Sequence, residues 1–169
     1  MDKRAAYAKL HADLAAFFAR YPGVDTTARM ASINSFLHAA FPQWVFVGFY
    51  TVKEPGKLLQ IGPYQGHVLA TALIPFGAGV CGTAAATLET QVVDDVTTCN
   101  NYIPCDDVTR SEIVVPVWGY NYHNEPDATA AAGAPRKLIA VLDIDTGEVG
   151  GFDGVDKEAL EALLARYFL

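Results

Sequence analysis

The chain has 169 residues, enough for one domain with a real core, and 51% apolar against 18% charged residues is a globular composition. A net charge of −7 provides no basic face for phosphates, which excludes nucleic acid as a main partner. No apolar run approaches the length of a membrane span, the first residues lack a signal-peptide pattern, and an odd count of three cysteines does not suit a fully paired secreted framework, so a cytoplasmic protein with free thiols is expected.

In chain order, Tyr7, Leu10, Leu14, Phe17, Phe18 and Tyr21 recur at helical spacing, predicting a helix over 2–21 that Pro22-Gly23 stops. Asp25 or Thr26 caps a second helix whose Met30, Ile33, Leu37 and Phe41 share a face up to Pro42. Aromatic and β-branched residues from Trp44 to Val52 predict a strand, and Glu54-Pro55-Gly56 turns into a second strand, Lys57 to Gly62. A third strand is predicted over 68–74. A helix of small residues follows Gly77-Ala78-Gly79 from about Val80 to Leu88, then a short strand, Gln91 to Val93. The stretch from Asp94 to Arg110 reads as irregular. Glu112 to Val117 and Leu138 to Asp145 are strongly β-like, and Val155 to Phe168 is a closing helix capped near Asp153. The composition of 119–136 predicts a mobile hairpin insertion between the two long strands. Strands joined by hairpin-length links and flanked by helices predict an α+β sandwich: 1–169 is a single domain, with 1–23 an N-terminal helix that is also a candidate dimer surface.

Two cysteines in unlike settings, with carboxylates close behind, carry the chemistry. Cys105 follows a proline in a polar segment, where exposure permits reactivity, although a half-buried surface thiol is the plain alternative. Cys81 sits near a helix start, where the dipole can lower a thiol pKa, but the place equally suits an inert packed cysteine. Cys99 reads as an ordinary residue. With no Cys-x-x-Cys pair and histidines scattered at 11, 38, 67 and 123, no metal site is expected. Asp143 and Asp145 alternate with Leu142 and Ile144, so both carboxylates leave one face of one strand. They either mark a strand end that reaches solvent or bind a cation or ligand. If the strand starting at Glu112 pairs with theirs, three acids share a pocket and repulsion keeps one of them protonated near neutrality. Gly77-Ala78-Gly79-Val80-Cys81-Gly82-Thr83 is neither a Walker loop nor a dinucleotide fingerprint.

Taken together, Gly48-Phe49-Tyr50, Gly62-Pro63-Tyr64-Gln65-Gly66, Ile74-Pro75-Phe76-Gly77-Ala78-Gly79-Val80-Cys81-Gly82, Cys105 with Ser111-Glu112-Ile113-Val114, and Val141-Leu142-Asp143-Ile144-Asp145 come in the order of one family. From about residue 26 onward the chain resembles the free methionine-(R)-sulfoxide reductases, which are single GAF domains. The resemblance implies a sheet of about six antiparallel strands between helices, and thiol-dependent reduction of free methionine-(R)-sulfoxide. It implies Cys105 as the attacking cysteine and Cys81 as the resolving one. It implies Glu112, Asp143 and Asp145 as ligand carboxylates, with Glu112 the proton donor, and Tyr50 with Phe46 as an aromatic wall. No bound cofactor is implied, and the reductant is an external, thioredoxin-like dithiol. Two departures stand out: Thr71 occupies a position where the family commonly has a third cysteine, leaving Cys99 as a candidate auxiliary thiol, and Phe46 replaces a tryptophan. The competing reading is a non-catalytic GAF sensor of a small molecule or of redox state.

Overall fold

The computed structural model describes residues 2–67, 69–104, 107–120 and 135–169. The predicted insertion over 119–136 falls for the most part, and Cys105 falls entirely, outside the described residues. The elements run α1 (Lys3–Arg20), α2 (Thr26–Ala40), β1 (Trp44–Glu54), β2 (Leu58–Gly66), β3 (Leu73–Pro75), α3 (Gly79–Thr87), β4 (Gln91–Val93), a 3-10 turn (Val96–Thr98), β5 (Ser111–Gly119), β6 (Lys137–Thr146) and α4 (Gly154–Phe168). The strands form one antiparallel sheet in the order β3-β2-β1-β6-β5-β4.

Period-two alternation divides the sheet's residues between two cores. Val47, Phe49, Ile113, Val115, Ala140, Leu142 and Ile144 pack with the buried stripes of α1, α2 and α4. Phe46, Tyr50, Val52, Val114 and Val141 pack instead with Val80, Cys81, Ala84 and Ala85 of α3. The predicted α+β sandwich is therefore present, with three helices on one face and one on the other. The apolar stripe of α1, Tyr7, Leu10 and Leu14, is spent inside this core. A polar tie fixes its start: Tyr7 Oη donates to Asp156 at 2.9 Å, Lys3 Nζ reaches both Asp156 and Asp153, and Asp156 in turn closes the capping box of α4.

The third strand is a correction. A strand over 68–74 was expected, yet among the described residues only Leu73–Pro75 pairs, and β2 runs four residues beyond Gly62. The cause lies across the sheet. β1 offers ladder partners as far back as Phe46, which meets Gly66, so Gly62-Pro63 is carried through as strand rather than acting as a stop. Gly62 suits that course, because a Cβ there would stand 2.9 Å from the Phe49 carbonyl oxygen.

Candidate active site

Register brings the acids together. β5 and β6 pair with Glu112 opposite Asp145 and Val114 opposite Asp143, so the three carboxylates emerge on the α3 face in adjacent positions. On the other side of β6, Asp143 faces Gly48 and Asp145 faces Phe46. All three acids are buried, with Glu112 5%, Asp143 6% and Asp145 7% exposed, which decides against a strand end reaching solvent.

The glycine-rich turn delivers the thiol. Gly77 and Gly79 take positive φ values of 85° and 62°. The Gly77 N–H donates to the Gly82 carbonyl at 2.7 Å, and the Gly82 N–H donates to the Ala78 carbonyl at 3.0 Å. A Cβ on Gly82 would stand 2.3 Å from the Pro75 carbonyl oxygen, so only glycine allows the turn to close. α3 then begins at Gly79 and points buried Cys81 into a small cavity of about 20 Å³. Tyr50, Ile74, Gly79, Val80, Tyr102, Ile103, Glu112, Asp143 and Asp145 line it with Cys81. Among the described residues no lysine, arginine or histidine lines this cavity.

The electrostatics follow from that one-sided charge. Burial, then the Asp143 and Glu112 carboxylates, push the Cys81 thiol well above its ordinary pKa. The sequence offered a helix start that lowers a thiol pKa; here burial beside carboxylates outweighs the dipole, and Cys81 rests as a neutral thiol. Asp143 is pushed up to about 7, principally by burial, against the lowering effect of hydrogen bonds with Cys81 and Glu112. A hydrogen bond between two carboxyl groups requires a proton between them, so the Glu112–Asp143 pair carries one near neutrality. A raised acid is present as expected, but the cause differs: burial, not repulsion among the carboxylates, lifts Asp143, and its hydrogen bond with Glu112 opposes the rise. Its other oxygen, Oδ1, is buried without a hydrogen-bond partner among the described residues.

Tyr50 forms one wall. Phe46 lies one ring behind it, 6.5 Å from the Tyr50 ring and stacked on Tyr64 at 5.5 Å, rather than at the cavity surface. Gly48 makes room for that stack, since a Cβ there would meet the Phe46 ring and the Tyr64 Cβ at 2.6 Å. Cys99 is half-buried and packs against the same apolar cluster as Cys81; both are free thiols. The wall residues Tyr102 and Ile103 were not among the sequence-derived candidates. They stand as an apolar pair in an otherwise polar stretch, which is the signal that could have found them. Ile103 packs onto Gly79, where a Cβ would come within 3.2 Å of its side chain, and Asn101 Nδ2 donates to the Gly77 carbonyl at 2.7 Å. The segment leading to Cys105 is thereby fastened across the turn that bears Cys81.

No protein-family model matches the chain. A free methionine-R-sulfoxide reductase from Escherichia coli is 32% identical over 166 residues, 98% of this chain and 88% of that protein. The chain belongs to the free methionine-R-sulfoxide reductase family. Its namesake in Saccharomyces cerevisiae is 44% identical over 119 residues, 70% of this chain, and the match spans 58% of the yeast protein. The solved free methionine-R-sulfoxide reductase of Neisseria meningitidis, in complex with its substrate, superposes with a TM-score of 0.80 at 35% identity, over 98% of this chain and 87% of that one. A solved GAF domain superposes equally well, with a TM-score of 0.80 at 33% identity over 100% of this chain and 90% of its own. Free methionine-R-sulfoxide reductase family membership and the GAF fold therefore agree with the six-stranded sheet and its helices.

Proposed function

We propose that this protein reduces free methionine-(R)-sulfoxide to methionine, with Cys105 attacking and Cys81 resolving. The observation that carries the reading is the buried pocket in which Cys81 meets Glu112, Asp143 and Asp145 beside Tyr50, in a chain of this family. Three buried acids in a cavity with no basic side chain among its described lining residues favour a cationic ligand, and a free amino acid brings an α-ammonium. Asp145 with one of its neighbours would hold that ammonium, and Tyr50 would pack against the S-methyl end.

In the proposed reaction the Cys105 thiolate attacks the sulfoxide sulfur while the proton held between Glu112 and Asp143 passes to the sulfoxide oxygen. Attack forms a bond between Cys105 Sγ and the sulfoxide sulfur. As the S–O bond breaks, the protonated oxygen transfers to Cys105 Sγ, the new S–S bond breaks with its electron pair going to methionine, and Cys105 is left two electrons oxidised as a sulfenic acid. Cys81 then gives up its proton, displaces that oxygen as water and closes a Cys81–Cys105 disulfide. An external thioredoxin-like dithiol reduces the disulfide, and no bound cofactor takes part. Cys99 is the thiol available for relay to that reductant, Thr71 having none. At about 20 Å³ the resting cavity holds roughly a water molecule, so substrate entry requires the Tyr102–Ile103 wall to move outward.

The test is single-turnover reduction by pre-reduced protein, counting methionine formed and thiols lost, with the S epimer and a peptide sulfoxide as controls. About one methionine per chain is expected, abolished in Cys105→Ser and retained in Cys81→Ser, where no disulfide forms. No methionine from reduced wild type would sink the reading and leave a ligand-binding sensor.

A further inference from the structure

The donor atoms of Cys81, Glu112 and Asp143 all lie within 4.8 Å of one another, and all three residues are buried. Donors bound to one zinc ion sit about 3.5 Å apart, given bonds of about 2.3 Å to sulfur and about 2.1 Å to oxygen. Each of these three would have to move inward by no more than about 0.8 Å to share an ion. Two further observations point to a ligand here. Among the described residues Asp143 Oδ1 has no hydrogen-bond partner, although the residue is only 6% exposed and lines the cavity. The lining of the cavity is also acidic, with no lysine, arginine or histidine among its described residues. Its volume of about 20 Å³ suits an ion, with or without a water, while the wall is still closed.

We propose that Cys81, Glu112 and Asp143 form an exchangeable three-donor site for a thiophilic divalent cation, Zn²⁺ or Cd²⁺, with the fourth position open to water. The thiol selects the metal class: one sulfur and two carboxylates suit zinc and cadmium, whereas magnesium and calcium take all-oxygen shells. Binding forms one metal–sulfur and two metal–oxygen bonds and releases to solvent both the Cys81 proton and the proton shared by Glu112 and Asp143, with no change of oxidation state. No structural zinc centre is implied, because the fold is complete without the ion and the site has three protein donors. Occupation removes the resolving thiol and the Glu112–Asp143 pair that would donate to the sulfoxide oxygen, and fills the space the substrate needs. The ion therefore acts as a reversible inhibitor competing with the sulfoxide; that consequence rests on the reductase reading, whereas the binding does not.

The experiment titrates reduced protein with Cd²⁺ and follows thiolate-to-metal charge-transfer absorption in the near ultraviolet. One equivalent is expected to develop the band in wild type and in a Cys99→Ser/Cys105→Ser double variant, with near-ultraviolet dichroism reporting an intact fold. Cys81→Ser should abolish the band, Asp143→Asn should weaken binding at least tenfold, Zn²⁺ should displace Cd²⁺, and millimolar Mg²⁺ or Ca²⁺ should not. A band that survives in Cys81→Ser, or that vanishes in the double variant, overturns the site; so does unchanged affinity in Asp143→Asn. In turnover, Zn²⁺ should raise the apparent KM for the sulfoxide with kcat unchanged, reversed by chelator. Cadmium binding without sulfoxide turnover removes the reductase reading and leaves the cation site, and turnover without cadmium binding does the reverse.

Discussion

Replacing Asp143 by asparagine separates what this residue does for stability from what it does for chemistry. The amide resembles the neutral acid in shape, can donate to Glu112 and can accept from the Cys81 thiol, but it cannot ionise. In wild type the Asp143 carboxyl is lifted from 3.8 to about 7, chiefly by burial. Between those pH values the folded chain holds a proton that the unfolded chain has lost, so folding stability falls as pH rises from about 4 to about 7. At about 1.4 kcal/mol for each pH unit, the loss reaches about 4 kcal/mol, fully present above pH 7. Asp143→Asn removes that loss and should gain up to about 4 kcal/mol on wild type between pH 4 and pH 8. For a urea slope of about 2 kcal/mol per molar, the gain shifts the midpoint by about 2 M. The assay is urea unfolding at several pH values under reducing conditions with chelator present. Wild-type and variant midpoints that run parallel from pH 4 to 8 would refute the burial argument. Single-turnover methionine formation at pH 7 should fall about 100-fold or more in the same variant, the ordinary scale for losing a positioned acid.

Three other substitutions probe the supports of the site. Gly82→Ala places a Cβ against the Pro75 carbonyl at 2.3 Å, and unfolding should show a cost of about 2 kcal/mol or more with slowed single turnover; wild-type values would mean the turn is not closed as described. Tyr7→Phe deletes the 2.9 Å bond to buried Asp156 and should cost about 1–2 kcal/mol in chemical denaturation without altering single-turnover rate. Asn101→Ala removes the tie to the Gly77 carbonyl at an exposed place, so stability should change by less than about 1 kcal/mol. In a Cys99→Ser/Cys105→Ser background it should accelerate alkylation of Cys81 several-fold, and unaltered labelling would show that this tie does not hold the cavity shut.

The helices and long strands were legible because each has one buried stripe of the right period. Asp25 caps α2 and Asp153 caps α4, as their positions before apolar runs suggest. The alternation of Asp143 and Asp145 against Leu142 and Ile144 was enough to put both carboxylates on one face, and the guess that Glu112 lies alongside required only that β5 and β6 pair. What escaped were properties set by partners distant in sequence. β2 continues past Gly62 because β1 supplies ladder partners there, and nothing local announces it. The Cys81 shift was open for the same reason: the local helix start allowed either a lowered pKa or an inert packed cysteine, and the carboxylates that decide for the protonated thiol arrive from β5 and β6. Tyr102 and Ile103 became part of the wall through their fit to the glycine turn, a contact that spacing alone does not encode.

On the proposed reading, that same distribution of acids explains why Cys81 does not compete with Cys105 for one substrate. A thiol attacks as thiolate, and the buried carboxylates hold Cys81 protonated, hydrogen-bonded to Asp143 and unreactive toward a sulfoxide. On the proposed reading the attack is left to Cys105, and Cys81 becomes useful only once a sulfenic acid offers an electrophilic sulfur that a thiol giving up its proton can reach. The acids divide in parallel: a carboxyl pair sharing a proton serves the sulfoxide oxygen, while the remaining negative charge serves the α-ammonium. A peptide sulfoxide would bring no ammonium. It would leave that charge buried and uncompensated, a penalty of several kcal/mol that an open, solvated acid would never impose. On that reading, selectivity for the free amino acid and silence of the second thiol would come from one cause, the burial of Glu112, Asp143 and Asp145 around Cys81 without a basic side chain among the described residues of the cavity lining.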